Sequence, residues 1–151
     1  DGLCQVTGLP ESFSGYPLGV RAIQVPDPST DSAFLSLFGR SERTTACACE
    51  RSGDVTLPQL LHLQNNDGLM QKVRSPDGAL VRLLKQEPDN QKVIDACYLA
   101  SLGRLPAAAE KASLLNAIGT VAPTLSDQQR QEVFQDLLWA LLNSKEFAFQ
   151  H

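Results

Sequence analysis

The chain has 151 residues, of which 42% are hydrophobic, so it is long enough for one domain with a substantial buried core. Its 13 basic and 17 acidic side chains leave a net charge of −4, and the lack of a basic surplus disfavours a nucleic-acid partner. No apolar run reaches the roughly 20 residues that a membrane span requires. We therefore predict a globular domain that neither binds nucleic acid nor inserts into a membrane.

The first residues carry no initiator methionine and no signal peptide. We interpret the chain as a piece of a longer polypeptide. Proline and glycine are frequent in residues 1–30, which predicts an extended or irregular arm. Four apolar residues within this arm are compatible with one short strand: Val20, Ala22, Ile23 and Val25.

Residues 31–54 form the second segment. A short helix is predicted over 31–38, because Asp31 can cap its start and Gly39 can take the left-handed conformation beyond its end. Residues 40–54 are polar, with alternating charges, and predict a loop.

From residue 55 onward the sequence shows regular helix signals. Starts are predicted at five sites: Thr56 with Gln59, the run 75–77, Asp89, Pro106, and Ser126 with Gln129. Apolar residues at helical spacing accompany each start: Leu57, Leu60 and Leu61; Leu80, Leu83 and Leu84; Val93, Ala96, Cys97 and Ala100; Leu114, Leu115 and Ile118; Val133, Phe134, Leu137, Leu138 and Leu141. Ends are predicted at Gly103, at Gly119 and near residue 146.

The connections between these helices are short, as expected for antiparallel neighbours in a bundle. We predict an all-α fold, an irregular bundle of about five to six helices. The chain is then one domain over 1–151: an arm at 1–30, a short helix and charged loop at 31–54, and the bundle at 55–151.

Two cysteines, Cys47 and Cys49, are separated by one residue and form a candidate thiol site. A zinc site would need a fourth ligand that the sequence does not supply, and a c-type haem would need a Cys-x-x-Cys-His run that is missing. We therefore predict no metal and no cofactor. The pair is either structural, or reactive because neighbouring arginines favour a thiolate, or oxidised through a disulfide to Cys4 or Cys97.

Arg40, Arg43, Glu50 and Arg51 form a charged cluster around the cysteine pair. One interpretation is a solvated loop in which these side chains form salt bridges with one another. The alternative is an arginine site for a carboxylate or phosphate group of a partner. No histidine or carboxylate completes a catalytic arrangement, so no catalytic residue is assigned.

The last helix carries Trp139, the only tryptophan of the chain, outside its predicted apolar face. A large aromatic side chain in that position needs a covering surface or marks a contact site. The arm is one candidate cover, through Leu9, Phe13, Tyr16 or Ile23. The other hypothesis is that Trp139 docks an upstream domain of the parent protein. Acidic residues on the same helix are predicted to serve solubility: Asp127, Glu132, Asp136 and Glu146.

Five stretches of the sequence, in a fixed order, are similar to those of a known protein family. They are Phe-Leu-Ser-Leu-Phe-Gly-Arg (34–40), Thr-Ala-Cys-Ala-Cys-Glu-Arg-Ser (45–52), Thr-Leu-Pro-Gln-Leu-Leu-His-Leu-Gln-Asn (56–65), Tyr-Leu-Ala-Ser-Leu-Gly-Arg-Leu-Pro (98–106) followed by Glu110, and Asp-Leu-Leu-Trp-Ala-Leu-Leu-Asn-Ser-Lys-Glu-Phe (136–147). Together they resemble the C-terminal domain of unknown function in large planctomycete proteins, which often also carry a cytochrome c module and an immunoglobulin-like module. The resemblance covers nearly the whole chain.

This resemblance implies export, and hence an extracytoplasmic location, with upstream domains of the same protein as partners. It implies no catalytic residues, because none are established for the family. The function predicted is a non-enzymatic helical structural or interaction module of a larger exported protein associated with a cytochrome c module. The alternatives are an accessory part of an enzyme completed by an upstream domain, and a thiol or metal site at Cys47 and Cys49.

Overall fold

The structure, a computed structural model, describes residues 1–26, 67–121 and 126–148, together with Thr30, Ser32 and Leu35. These residues form seven α-helices and one 3-10 helix, and no strand occurs among them. The all-α prediction is therefore confirmed. The predicted helix over 31–38, the charged loop over 40–54 and the helix start at Thr56 lie outside the described residues, apart from Ser32 and Leu35.

The N-terminal segment, residues 1–26, begins with a short helix, α1 (Gly2–Thr7), rather than with extended chain. Gly8 ends this helix at φ 68, a left-handed conformation that favours glycine. A Cβ atom at Gly8 would lie 2.9 Å from the Cβ of Ala79, so α1 ends in close contact with the following bundle. Substitution of Gly8 would therefore both strain the backbone and push two elements apart.

The predicted strand through Val20–Val25 is wrong. Ala22–Gln24 form a 3-10 helix, because the Arg21 N–H donates to Gln24 Oε1 at 2.9 Å and closes this turn locally. The Ala22 N–H donates to Asp1 Oδ1 at 2.9 Å, which ties the turn back to the start of the chain. These side-chain acceptors satisfy backbone donors that would otherwise need a neighbouring strand.

Helix α2 (Asp67–Arg74) was not predicted from the sequence. Its buried side chains are Leu69 and Val73, four residues apart and hence on one face. The spacing of these two apolar residues was a signal for a helix in the sequence. It is short, however, and the glycine at 68 and the polar residues around it obscure the apolar stripe.

Helix α3 (Ala79–Gln86) contains the predicted leucines, but it starts after Gly78 instead of at 75–77. The Gly78 N–H donates to the Ser75 carbonyl at 3.0 Å, so residues 75–78 form a separate turn. Helix α4 (Asn90–Leu102) has the predicted ends, with Asp89 accepting from the Gln91 N–H and Gly103 at φ 67. Its predicted stripe is wrong at one position, since Ala100 is exposed.

Helix α5 (Ala108–Val121) continues past Gly119, so the predicted stop at that glycine is wrong. Gly119 has a negative φ and an exposed surface, and it is simply part of the helix. Ile118 is buried, and Leu114 and Leu115 are half-buried against the core, as predicted.

The predicted last helix is divided in two, α6 (Asp127–Leu142) and α7 (Lys145–Ala148). The capping box of Ser126 and Gln129 is confirmed at its start. At the break, the Asn143 N–H and side-chain amide both donate to the Trp139 carbonyl, and Ser144 Oγ accepts from the Phe147 N–H. Polar side chains thus end one helix and start the next within two residues.

Helices α4 and α6 form the centre of the bundle. Helix α6 packs against α2, α3, α4 and α7, and α4 also packs against α1 and α5. The largest fully buried side chains include Phe134, Ile94 and Leu142. Gln135 of α6 is also buried, although its side chain is polar.

Candidate functional site

A cavity of about 680 Å³ lies between the N-terminal segment and α2. We call it the N-terminal cavity. Its apolar walls include Leu3, Phe13, Val20 and Leu69. This volume is within the range of about 300–1,000 Å³ that small-molecule sites occupy in proteins.

Lys72 of α2 crosses from the bundle to the N-terminal segment beside this cavity. Its ammonium group donates to the Leu9 carbonyl at 3.4 Å and to the Pro10 carbonyl at 3.1 Å, and lies 3.1 Å from Glu11 Oε2. The lysine therefore fixes a stretch of chain that has no helical hydrogen bonds of its own.

The other two charged side chains that line the cavity are also paired. Arg21 lies 3.9 Å from Asp1 Oδ2, and Asp1 additionally accepts from the Ala22 N–H. The uncharged polar groups at the wall include Gln5, Ser12 and the thiol of Cys4. Cys4 Sγ is 4.0 Å from the Lys72 ammonium, so it lies within reach of a weak hydrogen bond.

A second cluster lies at the C-terminal end of α4 and contains Tyr98, Arg104, Glu110 and Glu146. We call it the arginine corner. Arg104 donates to both oxygens of Glu110, at 2.9 and 3.1 Å, and to both oxygens of Glu146. Its guanidinium carbon is 5.4 Å from the centre of the Tyr98 ring. One cation thus connects the end of α4, the start of α5 and the short helix α7.

The electrostatics of the corner follow from these contacts. Hydrogen bonds from Arg104, then from the Ala107 N–H, lower the pKa of Glu110 to about 2. The same arginine lowers the pKa of Glu146, while the two carboxylates raise the pKa of Arg104. Burial, followed by the charge of Glu110, raises the pKa of Tyr98.

The shifts of Glu110, Glu146 and Arg104 all favour the charged forms of these groups, which is the opposite of what a proton-transferring group near neutral pH requires. Glu110 also accepts from the Ala107 N–H at 2.7 Å and thereby caps the start of α5. The arginine corner is therefore a brace between helices. The prediction that Glu146 serves only solubility is wrong, because its carboxylate is part of this brace.

Sequence reasoning missed the arginine corner, although the stretch that contains Arg104 and Glu110 was noted for its resemblance. An available signal was a glutamate in the first turn of a helix, six residues after an arginine that follows a helix-ending glycine. Glu146 is 42 residues from Arg104 in sequence, so only the packing of α7 against α4 brings it there.

Among the described residues that form the N-terminal cavity and the arginine corner, none is a site residue predicted from the sequence. Arg40, Arg43, Glu50 and Arg51, and the cysteine pair Cys47 and Cys49, lie outside the described residues. The solvated-loop and anion-site interpretations therefore stay predictions.

Trp139 is half-buried on α6, and its carbonyl oxygen accepts from Asn143. The two hypotheses for its cover stay predictions. Of the arm residues proposed to cover it, Phe13 is buried and Ile23 is exposed.

The remaining cysteines, Cys4 and Cys97, are both free thiols, so the expected disulfide through one of them is not formed in the structure. Burial among core side chains raises the pKa of Cys97 to about 12. Cys97 therefore behaves as a core residue.

Within the described ranges no three His, Cys, Asp or Glu side chains are grouped closely enough to hold a metal ion. None of the helices formed by these residues is both long and apolar enough to cross a membrane.

Comparison with known proteins adds no relative: no protein-family model, no curated protein and no solved structure matches the chain.

Proposed function

We propose that the chain is a non-enzymatic helical interaction module of a larger exported multidomain protein. The observation that carries this proposal is a surface loop of the N-terminal segment that presents large apolar side chains to solvent. Leu18 is 74% exposed and Ile23 is 77% exposed. We call residues 16–24 the docking loop.

The docking loop is held in one conformation by hydrogen bonds. The Tyr16 N–H donates to the Phe13 carbonyl at 3.1 Å, and the Val20 N–H donates to the Pro17 carbonyl at 3.3 Å. Asp1 fixes its end through the Ala22 N–H at 2.9 Å. Because a fixed apolar surface loses little conformational entropy on binding, this loop is suited to a permanent contact with a neighbouring domain.

We place this neighbouring domain in the same exported polypeptide because the five sequence stretches resemble a domain of large, exported planctomycete proteins. On this proposal the upstream domains are the partners, and a cytochrome c module is among the domains of the parent protein. The proposal includes an extracytoplasmic location. It predicts a reading frame that extends upstream of Asp1 and contains an export signal, and a reading frame without either would contradict this part.

The docking role is tested by hydrogen–deuterium exchange on the isolated chain and on the longer gene product. We expect slower exchange of the amides in residues 16–24 in the longer product, with no change in α6. The double substitution Leu18→Ser with Ile23→Ser should abolish this protection and leave the unfolding temperature of the isolated chain nearly unchanged.

Leu99→Ser is the matched control, because Leu99 is also an exposed leucine but lies on α4. Equal exchange of residues 16–24 in both proteins would overturn the docking role. So would loss of protection in the Leu99→Ser variant alone.

A further inference from the structure

We propose that the N-terminal cavity binds one uncharged, largely apolar small molecule. This goes beyond the proposed docking of a neighbouring domain and does not depend on it. Residues 19–22 belong both to the docking loop and to the cavity wall, whereas Leu3, Cys4, Phe13 and Leu69 of the wall lie outside the loop.

Size is the first argument. The cavity has a volume of about 680 Å³, which is enough to hold a small molecule, since such sites occupy about 300–1,000 Å³. Leu69 and Phe13, two almost fully buried side chains, contribute to its apolar wall.

Charge is the second argument, and it sets the class of ligand. Four charged side chains line the cavity among the described residues, and each is paired within the chain: Lys72 with Glu11, and Arg21 with Asp1. A charged ligand would have to break one of these pairs or enter without a counter-ion, which is unfavourable next to apolar walls. An uncharged ligand requires neither.

Hydrogen bonding is the third argument. Gln5, Ser12 and Ser32 contribute uncharged polar groups to the wall. A few such groups in an otherwise apolar pocket are typical of sites that orient a small neutral molecule. We therefore assign an apolar body with a hydroxyl, carbonyl or similar neutral group.

A second concavity, of about 390 Å³, makes the contrast clear. It is lined by Lys85, Asp127 and Arg130 and has few apolar groups. Arg130 there already donates to Asn90 Oδ1 and to the carbonyls of Leu84 and Glu87, all within 2.9 Å. Arg130 thus connects α6 with the α3–α4 connection, and its role in this concavity is structural.

The test uses the whole chain and the neutral dye Nile red. We expect saturable binding of one dye per chain at micromolar concentration, and displacement of the dye by 1-octanol. Octanoate and octylammonium, which have the same chain length but carry a charge, should displace it about tenfold less well or worse. Backbone amide shifts in the labelled wild-type chain should change at residues 3–13 and 68–72 and not in α5.

Ala22→Trp fills the cavity from its wall and should weaken dye binding about tenfold or more. Ala100→Trp is the matched control, since Ala100 is exposed on α4 and does not line the cavity. Absence of saturable binding would overturn the proposal, as would shift changes located elsewhere or equally strong displacement by octanoate. The shift mapping needs no variant, so the proposal stays testable if Ala22→Trp fails to fold.

Discussion

The arginine corner and the N-terminal cavity use the same kinds of charged groups with different results. In the corner, the planar guanidinium of Arg104 binds two carboxylates from two other helices. Beside the cavity, the ammonium group of Lys72 binds backbone carbonyls of a segment without regular structure, and a large space remains. A forked cation joins helices, whereas a point charge at the end of a flexible stem braces a loop without filling the volume behind it.

The two regions therefore differ in role: the charged groups of one contribute to stability, and the other offers space and apolar surface for binding. The arginine corner contributes to stability, because one guanidinium connects α4, α5 and α7. The N-terminal segment keeps both the open volume and the exposed apolar side chains, and is therefore the part of the described chain to test for binding.

The largest expected contrast is in thiol reactivity. Because the pKa of Cys97 is raised from 9.0 to about 12, we expect it to react with a disulfide reagent at mildly alkaline pH about a thousandfold more slowly than a free thiol. Cys4, at the wall of the N-terminal cavity, should react before unfolding. The measurement uses a variant in which Cys47 and Cys49 are serine, followed by peptide mapping of the labelled thiol. Labelling of Cys97 ahead of Cys4 would contradict the contrast.

The next contrast compares two leucines. Leu142→Ala should lower the free energy of unfolding by about 2–5 kcal/mol, because Leu142 is fully buried and its removal leaves a cavity. Leu3→Ala should cost about 1 kcal/mol or less, because Leu3 is half-buried and already faces open volume. Urea unfolding of both variants measures the difference. Equal losses would show that the volume beside Leu3 is filled in solution.

The arginine corner gives a pH dependence with a defined sign. The pKa of Glu110 is about 2 in the folded chain and ordinarily 4.5, so the stability that it contributes is fully present above pH 4.5 and is lost as the pH falls towards about 2. Glu110→Gln should therefore destabilise the chain near neutral pH, and the difference from wild type should shrink to a minimum near pH 2.

Unfolding by urea across this pH range measures the effect. Glu132→Gln is the control for the change in net charge, because Glu132 is exposed on α6 and lies outside the arginine corner. A difference between wild type and Glu110→Gln that stays constant with pH would disprove the role of the Arg104 pair.

A smaller effect is expected at the cavity brace. Lys72→Met removes the contacts to Leu9, Pro10 and Glu11 and should cost about 1 kcal/mol, with faster proteolytic cleavage within residues 9–13. Lys85→Met is the matched control on α3, where the lysine is exposed. Cleavage at the same rate in both variants would show that Lys72 does not hold the segment.

The smallest effect is expected at the docking loop. Ile23→Ser should change the free energy of unfolding of the isolated chain by less than about 0.5 kcal/mol, because the side chain is mostly exposed. Thermal unfolding monitored by circular dichroism measures it. A substantial loss would mean that Ile23 is covered in the isolated chain, and would remove the basis for a docking loop.

Much of the bundle was predictable because its signals are local. Asp89 and Gly103 bound α4 as predicted, and Ser126 with Gln129 starts α6, since a cap requires only residues within one helical turn. The sequence was therefore sufficient for the all-α class, for the starts of α4 and α6, and for three of the buried leucines, Leu80, Leu138 and Leu141.

The features that were missed depend on residues distant in sequence. The role of Glu146 follows from how α7 packs against α4, which brings its carboxylate to Arg104. The N-terminal segment was predicted as an irregular arm, yet its turn is fixed by Asp1 across 21 residues and its loop by Lys72 across more than 60. The cavity and the contacts of Lys72 with Leu9 and Pro10 depend on tertiary structure, because their residues meet only when the N-terminal segment packs on α2.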